Sequence, residues 1–212
     1  MEGHKWFAAL YDRMLAPEER RFLGKIREEM LHDLSRRVLE IGAGTGANFQ
    51  YYTNGAHVVA TEPDPYMLKR AEQKLKDLDT PIELRQAAAE ELPFEDSSFD
   101  TVVATLVMCS VGDPKKAFSE IRRVLKPGGE YRFYEHVRYE NAFAAFSQDI
   151  VTPVWRWFGA GCHPNRDTER SIREAGFEIT RLERTKPLPP VPPMIWSRPH
   201  LRGVATSPDK GG

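Results

Sequence analysis

The apolar positions of this chain fall into three successive patterns, and each predicts a different element. Between residues 6 and 34, Phe7, Leu10, Met14, Phe22, Ile26 and Met30 recur every three to four positions or a small multiple of that step, as on one face of an amphipathic helix. Pro17 divides this stretch in two, because a proline pushes the residue before it out of the helical region. From Val38 onward, short apolar runs at residues 38–41, 57–61, 82–87, 100–106 and 131–137 alternate with charged helical stretches at 66–78 and 114–125. That alternation predicts an α/β fold with strands in a mostly parallel sheet and helices on both faces. The second helix is marked at both ends: Asp113 as N-cap and Pro114 at the first helical position, then a stop at Lys126-Pro127-Gly128-Gly129.

Beyond the fifth strand the pattern is more aromatic. Residues 143–158, with Trp155 and Trp157, predict a helix, and the Gly-rich loop 159–164 follows it. A helix at 167–175 ended by Gly176, a strand at 177–184 and a last strand at 201–206 complete a sheet of seven. Six of the 16 prolines fall in segment 187–199, which is expected to be extended. The expected organisation is an N-terminal helical cap (1–35), one α/β domain (36–206) and a frayed tail (207–212).

Composition removes several function classes. The 30 basic and 31 acidic residues leave a net charge of -1, so there is no electrostatic reason to expect nucleic acid or an anionic membrane as partner. Two cysteines, Cys109 and Cys162, are too few for a disulfide framework or a cysteine zinc site. They are expected as bland buried or loop thiols with no ligand cluster nearby, and no metal site is expected. Their number suits a reducing, cytoplasmic compartment. The most apolar stretch, 102–111, is about half the roughly 20 residues of a membrane span, and the N-terminus lacks the apolar core of a signal peptide. A soluble protein with no integral membrane segment is expected; the sequence is silent on oligomeric state.

Chemistry concentrates where the first strand runs into glycine. Residues 38–46 read Val-Leu-Glu-Ile-Gly-Ala-Gly-Thr-Gly, and glycines there let the backbone approach a ligand where a Cβ would intrude. The second strand ends in Glu62, eighteen residues beyond Gly44, where a carboxylate can accept hydrogen bonds from both hydroxyls of a ribose. The spacing is GxGxG, whereas the dinucleotide-binding fingerprint is GxGxxG.

In these motifs the chain resembles the class I S-adenosylmethionine-dependent methyltransferases. The resemblance rests on the ExGxGxG run from Glu40 to Gly46, the acid Glu62, Leu92-Pro93-Phe94 with Ser98-Phe99-Asp100, and the run from Arg123 to Gly129. It implies the Rossmann-like fold of that class and S-adenosyl-L-methionine as cofactor. It also implies a cofactor site of Glu40, Gly42, Gly44 and Gly46, with Glu62 on the ribose and Pro63, Asp64 and Met67 flanking the adenine. The acid that in this class meets the adenine amino group aligns with Ala88, so Glu90 or the backbone around Ala88 and Ala89 would take its place. The expected cofactor site also includes Thr105, at the end of the fourth strand. The run Thr105 to Ser110 contains no Asn/Asp-Pro-Pro-Tyr, the tetrapeptide with which amide and base N-methyltransferases grip an amino group.

A narrower resemblance, over roughly residues 36–206, is to the methyltransferase-like alkyl thiol methyltransferases. It lies in 106–111 (Leu-Val-Met-Cys-Ser-Val), 134–137 (Tyr-Glu-His-Val), 159–162 (Gly-Ala-Gly-Cys), 166–168 (Arg-Asp-Thr) and the proline-rich tail. Members carry an N-terminal membrane-anchoring segment, and none is expected in this chain. The likeness implies a small hydrophobic acceptor bearing a thiol. Quinone- and lipid-precursor methyltransferases share the core motifs and remain the alternative acceptor classes, and a non-catalytic cofactor-binding protein would carry the same glycines and Glu62.

Methyl transfer from a sulfonium needs alignment and exclusion of water rather than a metal. A thiol acceptor additionally needs help to ionise, since its reference pKa is about 8.5. His136, at the end of the fifth strand, is the expected base or acceptor-orienting group, with Arg166 and His163 adding positive potential. Trp155, Trp157 and Phe158 are expected in the core. The apolar residues of the N-terminal helix, with Met194, Ile195 and Trp196, need cover: either they pack on the outside of the sheet's helices or they close as a lid over the acceptor.

Overall fold

The structure, a computed structural model, describes residues 19–53, 55–78, 80–159 and 161–208. The helical face expected from Trp6 to Met14, and its lid role, lie outside the described residues. A π-helical turn, Glu19–Leu23, leads into α1 (Gly24–Leu31). There follow β1 (Arg36–Ile41), β2 (Ala56–Thr61), α2 (Pro65–Leu75), β3 (Ile82–Arg85), β4 (Phe99–Thr105), α3 (Pro114–Val124) and β5 (Leu125–His136). The chain continues through α4 (Ala142–Phe158), α5 (Thr168–Glu174), β6 (Glu178–Thr185) and β7 (His200–Thr206). Among the described residues no helix is long and apolar enough to cross a membrane.

All seven strands form one sheet in the order β3-β2-β1-β4-β5-β7-β6. Pairing is parallel from β3 to β5, and β7 runs antiparallel to both its neighbours. The chain steps outward in one direction from β1 to β3 and in the other from β4 to β5. The carboxyl ends of β1 and β4 therefore flank the point where strand order reverses, the place where open α/β sheets bind ligands.

Successive residues of a strand face opposite sides of the sheet, and this chain packs helices on both. Val38, Val58, Ala60, Val103 and Tyr134 join Met30, Leu31 and Ala71 of α1 and α2 in one cluster. Their neighbours Leu39, Ile41, Val102, Ala104 and Phe133 join Phe118, Ile121 and Ile172 of α3 and α5 in the other. Burial on both faces explains why the central strands read as near-continuous apolar runs. Helix starts follow the sequence signals: Asp64 accepts from the N–H groups of Tyr66 and Met67, and Asp113 from those of Lys115 and Lys116, each followed by a proline at the first helical position.

Four local expectations are corrected. β5 begins at Leu125 rather than Tyr131, because the Pro-Gly-Gly run that ends α3 passes straight into the sheet through a register shift opposite Phe99 and Thr101. Ser207 is not part of a frayed tail: it is buried and exchanges backbone hydrogen bonds with Gly128 and Gly129. Within the proline-rich segment Met194–Ser197 forms a 3-10 turn rather than extended chain, fastened by the Gln148 amide donating to Trp196 O (2.8 Å) and the Tyr139 hydroxyl donating to Ile195 O (2.9 Å). Trp157 is 80% exposed instead of in the core.

Candidate functional site

The glycine loop leaves β1 with positive φ at Gly42, Gly44 and Gly46, but for different reasons. A Cβ on Gly42 would lie 2.6 Å from a methyl of Val107, so this glycine lets the loop pack on the turn after β4. A Cβ on Gly44 would meet nothing within 4 Å. Gly44 thus faces open space, and its missing side chain leaves room for a ligand.

Glu62, directly after β2, is 7% exposed and closes the other side of that space. One carboxylate oxygen accepts from Gly44 N (2.9 Å) and the other from Asp64 N (2.9 Å). Burial raises its pKa, and these two N–H bonds oppose the rise. A carboxylate has about four lone-pair sites, so two remain for a vicinal diol. Open space at Gly44 beside a fixed carboxylate fits the ribose of S-adenosylmethionine. Met67, in the first turn of α2, and Ala89, in the loop after β3, are buried close to this end of the sheet. The carbonyl of Pro63 accepts from the Gln86 amide at 3.1 Å.

Further expected cofactor residues are engaged within the protein. Glu90 accepts from Gly112 N (2.7 Å) and Asp113 N (3.1 Å), tying the loop after β3 to the start of α3. Glu40 lies buried beneath the glycine loop and accepts from the Tyr52 hydroxyl (2.8 Å) and the Asn48 amide (3.0 Å). Asn48 also donates to the Thr105 hydroxyl (3.2 Å) and accepts from Arg27 (2.6 Å). Burial pushes the Glu40 carboxyl up to about 7. Sequence reasoning missed Arg27, Asn48 and Tyr52, which join β1, the loop and the end of β4 into one hydrogen-bonded unit.

On the β4–β5 side, Glu135 is fully buried and takes the backbone N–H groups of Val107, Met108 and Cys109 at 3.0, 2.9 and 3.2 Å. Burial raises its pKa to about 7, against the pull of those bonds. Among the described residues Arg166 makes no ion pair with a carboxylate: its guanidinium donates to Met108 O (2.5 Å) and Val111 O (2.7 Å). A charged side chain thus sits among carbonyls next to the turn it holds. His163 N donates to Cys109 O at 2.7 Å.

The expectation of two thiols with no ligand cluster nearby is overturned. Cys109, in the turn after β4, Cys162, in the loop after α4, and His136, the last residue of β5, bring Sγ, Sγ and Nδ1 within 4.8 Å of one another. His136 Nδ1 is 3.6 Å from Cys162 Sγ and 3.7 Å from Cys109 Sγ. The Cys162 thiol is held below its ordinary range by the Cys109 thiol and by His136, against burial. Cys109 is pushed up by its bond to Cys162 and by burial. Burial would lower the His136 imidazole, but the charges of Cys162 and Glu135 raise it. The His136 ring also contacts His200, which lines a cavity of about 330 Å³ with Val137, Tyr139, Thr185, Lys186 and Pro199.

Comparison with known proteins agrees with this architecture. Residues 39–133 match the family described as "Methyltransferase domain". The chain is 39% identical over 176 residues to the rat thiol S-methyltransferase TMT1B, covering 79% of this chain and 69% of that protein. It is 31% identical over 208 residues to human thiol S-methyltransferase TMT1A, covering 94% of this chain and 82% of the relative. The solved structure of a SAM-dependent methyltransferase from Methanosarcina mazei superposes with a TM-score of 0.67 at 18% identity, over 87% of this chain and 98% of that one.

Proposed function

Because the chain belongs to the class I S-adenosylmethionine-dependent methyltransferases, in the family that contains TMT1A and TMT1B, we propose that it methylates the sulfur of a small, largely apolar thiol. The observation that carries this reading is the extent of the likeness to TMT1A. At 94% of this chain it includes the β4–β5 side and the segments after it, where the acceptor side of the crevice lies. The absence of an amine-gripping tetrapeptide from residues 105–110 points the same way.

S-adenosylmethionine supplies a methyl group already activated by its sulfonium, so the protein's work is to position, to exclude water and to favour the ionised acceptor. Glu62 and the open face of Gly44 hold the donor in this reading. Arg166, cationic and satisfied only by carbonyl oxygens in the hydrogen bonds it makes, favours an anionic sulfur arriving beside Cys109 and Cys162. The Nδ1 of His136 faces those two thiols, so the cluster, rather than a free imidazole, meets the acceptor.

The test is a panel of alkyl thiols, phenols, amines and demethylated quinones with labelled S-adenosylmethionine, products identified by mass spectrometry. Methylated alkyl thiols are the expected product. Turnover of phenols, amines or quinones with none of any thiol would remove the thiol assignment and leave the methyltransferase intact.

A further inference from the structure

We propose that Cys109, His136 and Cys162 form a zinc site, a tetrahedral centre with three protein ligands whose fourth position takes the sulfur of the acceptor. The three-ligand site stands on geometry alone; the role of the fourth position rests on the thiol reading above.

Both edges from His136 match those of a coordination tetrahedron, and the two sulfurs lie within 4.8 Å of each other. With Zn–S of about 2.3 Å and Zn–N of about 2.0–2.1 Å, the edge between sulfur and nitrogen is about 3.6 Å. The two edges from His136 Nδ1 measure 3.6 and 3.7 Å. Two thiolates and a divalent cation cancel in charge, so a neutral imidazole completes a site that needs no counter-ion in a buried setting. Sulfur and imidazole donors together select zinc over the hard cations.

The three ligands come from three separate elements, and the backbone of each is held: His136 pairs with His200 in the sheet. Cys109 N donates to Glu135 and Cys109 O accepts from His163 N, while Cys162 N donates to Gly159 O at 2.9 Å. Such outer contacts are what hold metal ligands in place. One donor stands beside the cluster: Trp155 Nε1 is buried and lies next to Cys162, where it favours the thiolate. A metal-bound thiolate keeps lone pairs that can accept from it.

Among the described residues no fourth Cys, His, Asp or Glu joins the group. β4 lies between β1 and β5, so the cluster sits at the same end of the sheet as the glycine loop, one strand over from β1. An acceptor thiol entering the fourth position binds as thiolate and releases its proton to water, because coordination deprotonates a thiol. Its sulfur lone pair then forms the new bond to the methyl carbon. The bond between that carbon and the sulfonium breaks with its electrons remaining on the donor sulfur, and the neutral thioether product leaves.

The experiment measures the metal content of the full chain after tag removal and reconstitution with zinc, then replaces zinc with cobalt. One zinc per chain is expected, with visible cobalt bands and a thiolate-to-cobalt charge-transfer band. A small alkyl thiol added without S-adenosylmethionine is expected to shift those bands. Trp155→Phe is expected to weaken zinc about 10–100-fold, as loss of an outer-shell donor does. A chain that stays metal-free after reconstitution, with both thiols titrating freely or joined as a disulfide, overturns the site, even if thiol methylation is intact. Cobalt bands that no thiol moves overturn the fourth-position assignment. A thiol-dependent shift without methylation of any thiol retains the site and rejects the acceptor reading. All of these measurements use the wild-type chain except the Trp155→Phe arm, so none depends on whether a ligand variant folds.

Discussion

The two sides of the crevice are built on opposite plans. On the β1–β2 side the proposed donor space is shaped by one glycine with open room in front of it and one carboxylate after the next strand, which two backbone N–H groups hold in place. On the β4–β5 side the groups proposed to meet the acceptor are side chains at positions 109, 136 and 162, each at or just past the end of a different element. A ligand shared by many enzymes can be held by a cradle written into one turn. An acceptor particular to one family needs side chains, and side chains from distant elements meet only once the sheet has paired.

The largest effect separating the two sides is expected from Gly44→Val. The new side chain would fill the empty space beside Glu62, and calorimetry should find S-adenosylmethionine binding reduced by more than about 100-fold, while the strained positive φ costs the fold only about 1–2 kcal/mol. Retained affinity in a folded Gly44→Val variant would mean that the ligand lies elsewhere. Next is Glu135→Ala, which leaves three buried N–H groups of the turn after β4 without their acceptor. Urea unfolding should show a loss of about 3 kcal/mol, with S-adenosylmethionine affinity within about twofold of wild type. An equal loss of affinity would break the comparison, and the route would be Val107, which belongs to that turn and packs where a Gly42 side chain would lie.

The same contrast explains what the sequence disclosed. The seven strands, the capped starts of α2 and α3 and the glycine–Glu62 pair are local patterns, each contained in a short window or a fixed offset, and they were legible. The Cys109–His136 and Cys162–His136 contacts span 27 and 26 residues, so no periodicity or motif window contains them. The available signal was positional: Cys109 just past β4 and His136 at the end of β5 both lie at the carboxyl edge of a parallel sheet, where ligands bind. β5 was started late because proline and glycines read as breakers. Pairing with Phe99 and the backbone bonds to Ser207 extended the sheet through them. Its place in the motif alone assigns Glu40 to the cofactor. Its partners Asn48 and Tyr52 lie eight and twelve residues on, and their role appears only when the loop folds back over the strand.

Glu62→Ala sharpens the cofactor side alone. A hydrogen bond to a charged group is worth about 1.5–3 kcal/mol, so affinity for S-adenosylmethionine should fall by roughly 10- to 150-fold. Zinc content of the β4–β5 cluster should be unchanged, since Glu62 makes its hydrogen bonds to Gly44 and Asp64. Unaltered calorimetric affinity in a folded variant would remove Glu62 from the ribose.

The smallest effect concerns the carboxylate beneath the glycine loop. In the unfolded chain Glu40 is an ordinary glutamate, whereas burial pushes it up to about 7 in the fold. Between the two values the folded protein holds a proton that the unfolded chain releases. The stability this confers is therefore fully present below the ordinary glutamate range and is lost as pH rises through about 7. Glu40→Gln is neutral at every pH and has no such slope. Glu135 is also raised to about 7, but it is the same in both proteins and cancels when their stabilities are subtracted. From pH 6 to pH 8 the wild type should lose about 1.4 kcal/mol relative to Glu40→Gln in urea unfolding, the cost of transferring about one proton over that interval. A difference that stays flat with pH would mean that Glu40 is ionised in the folded protein throughout. Its hydrogen bonds from Tyr52 and Asn48, with the Arg27 charge, would then be compensating fully for its burial.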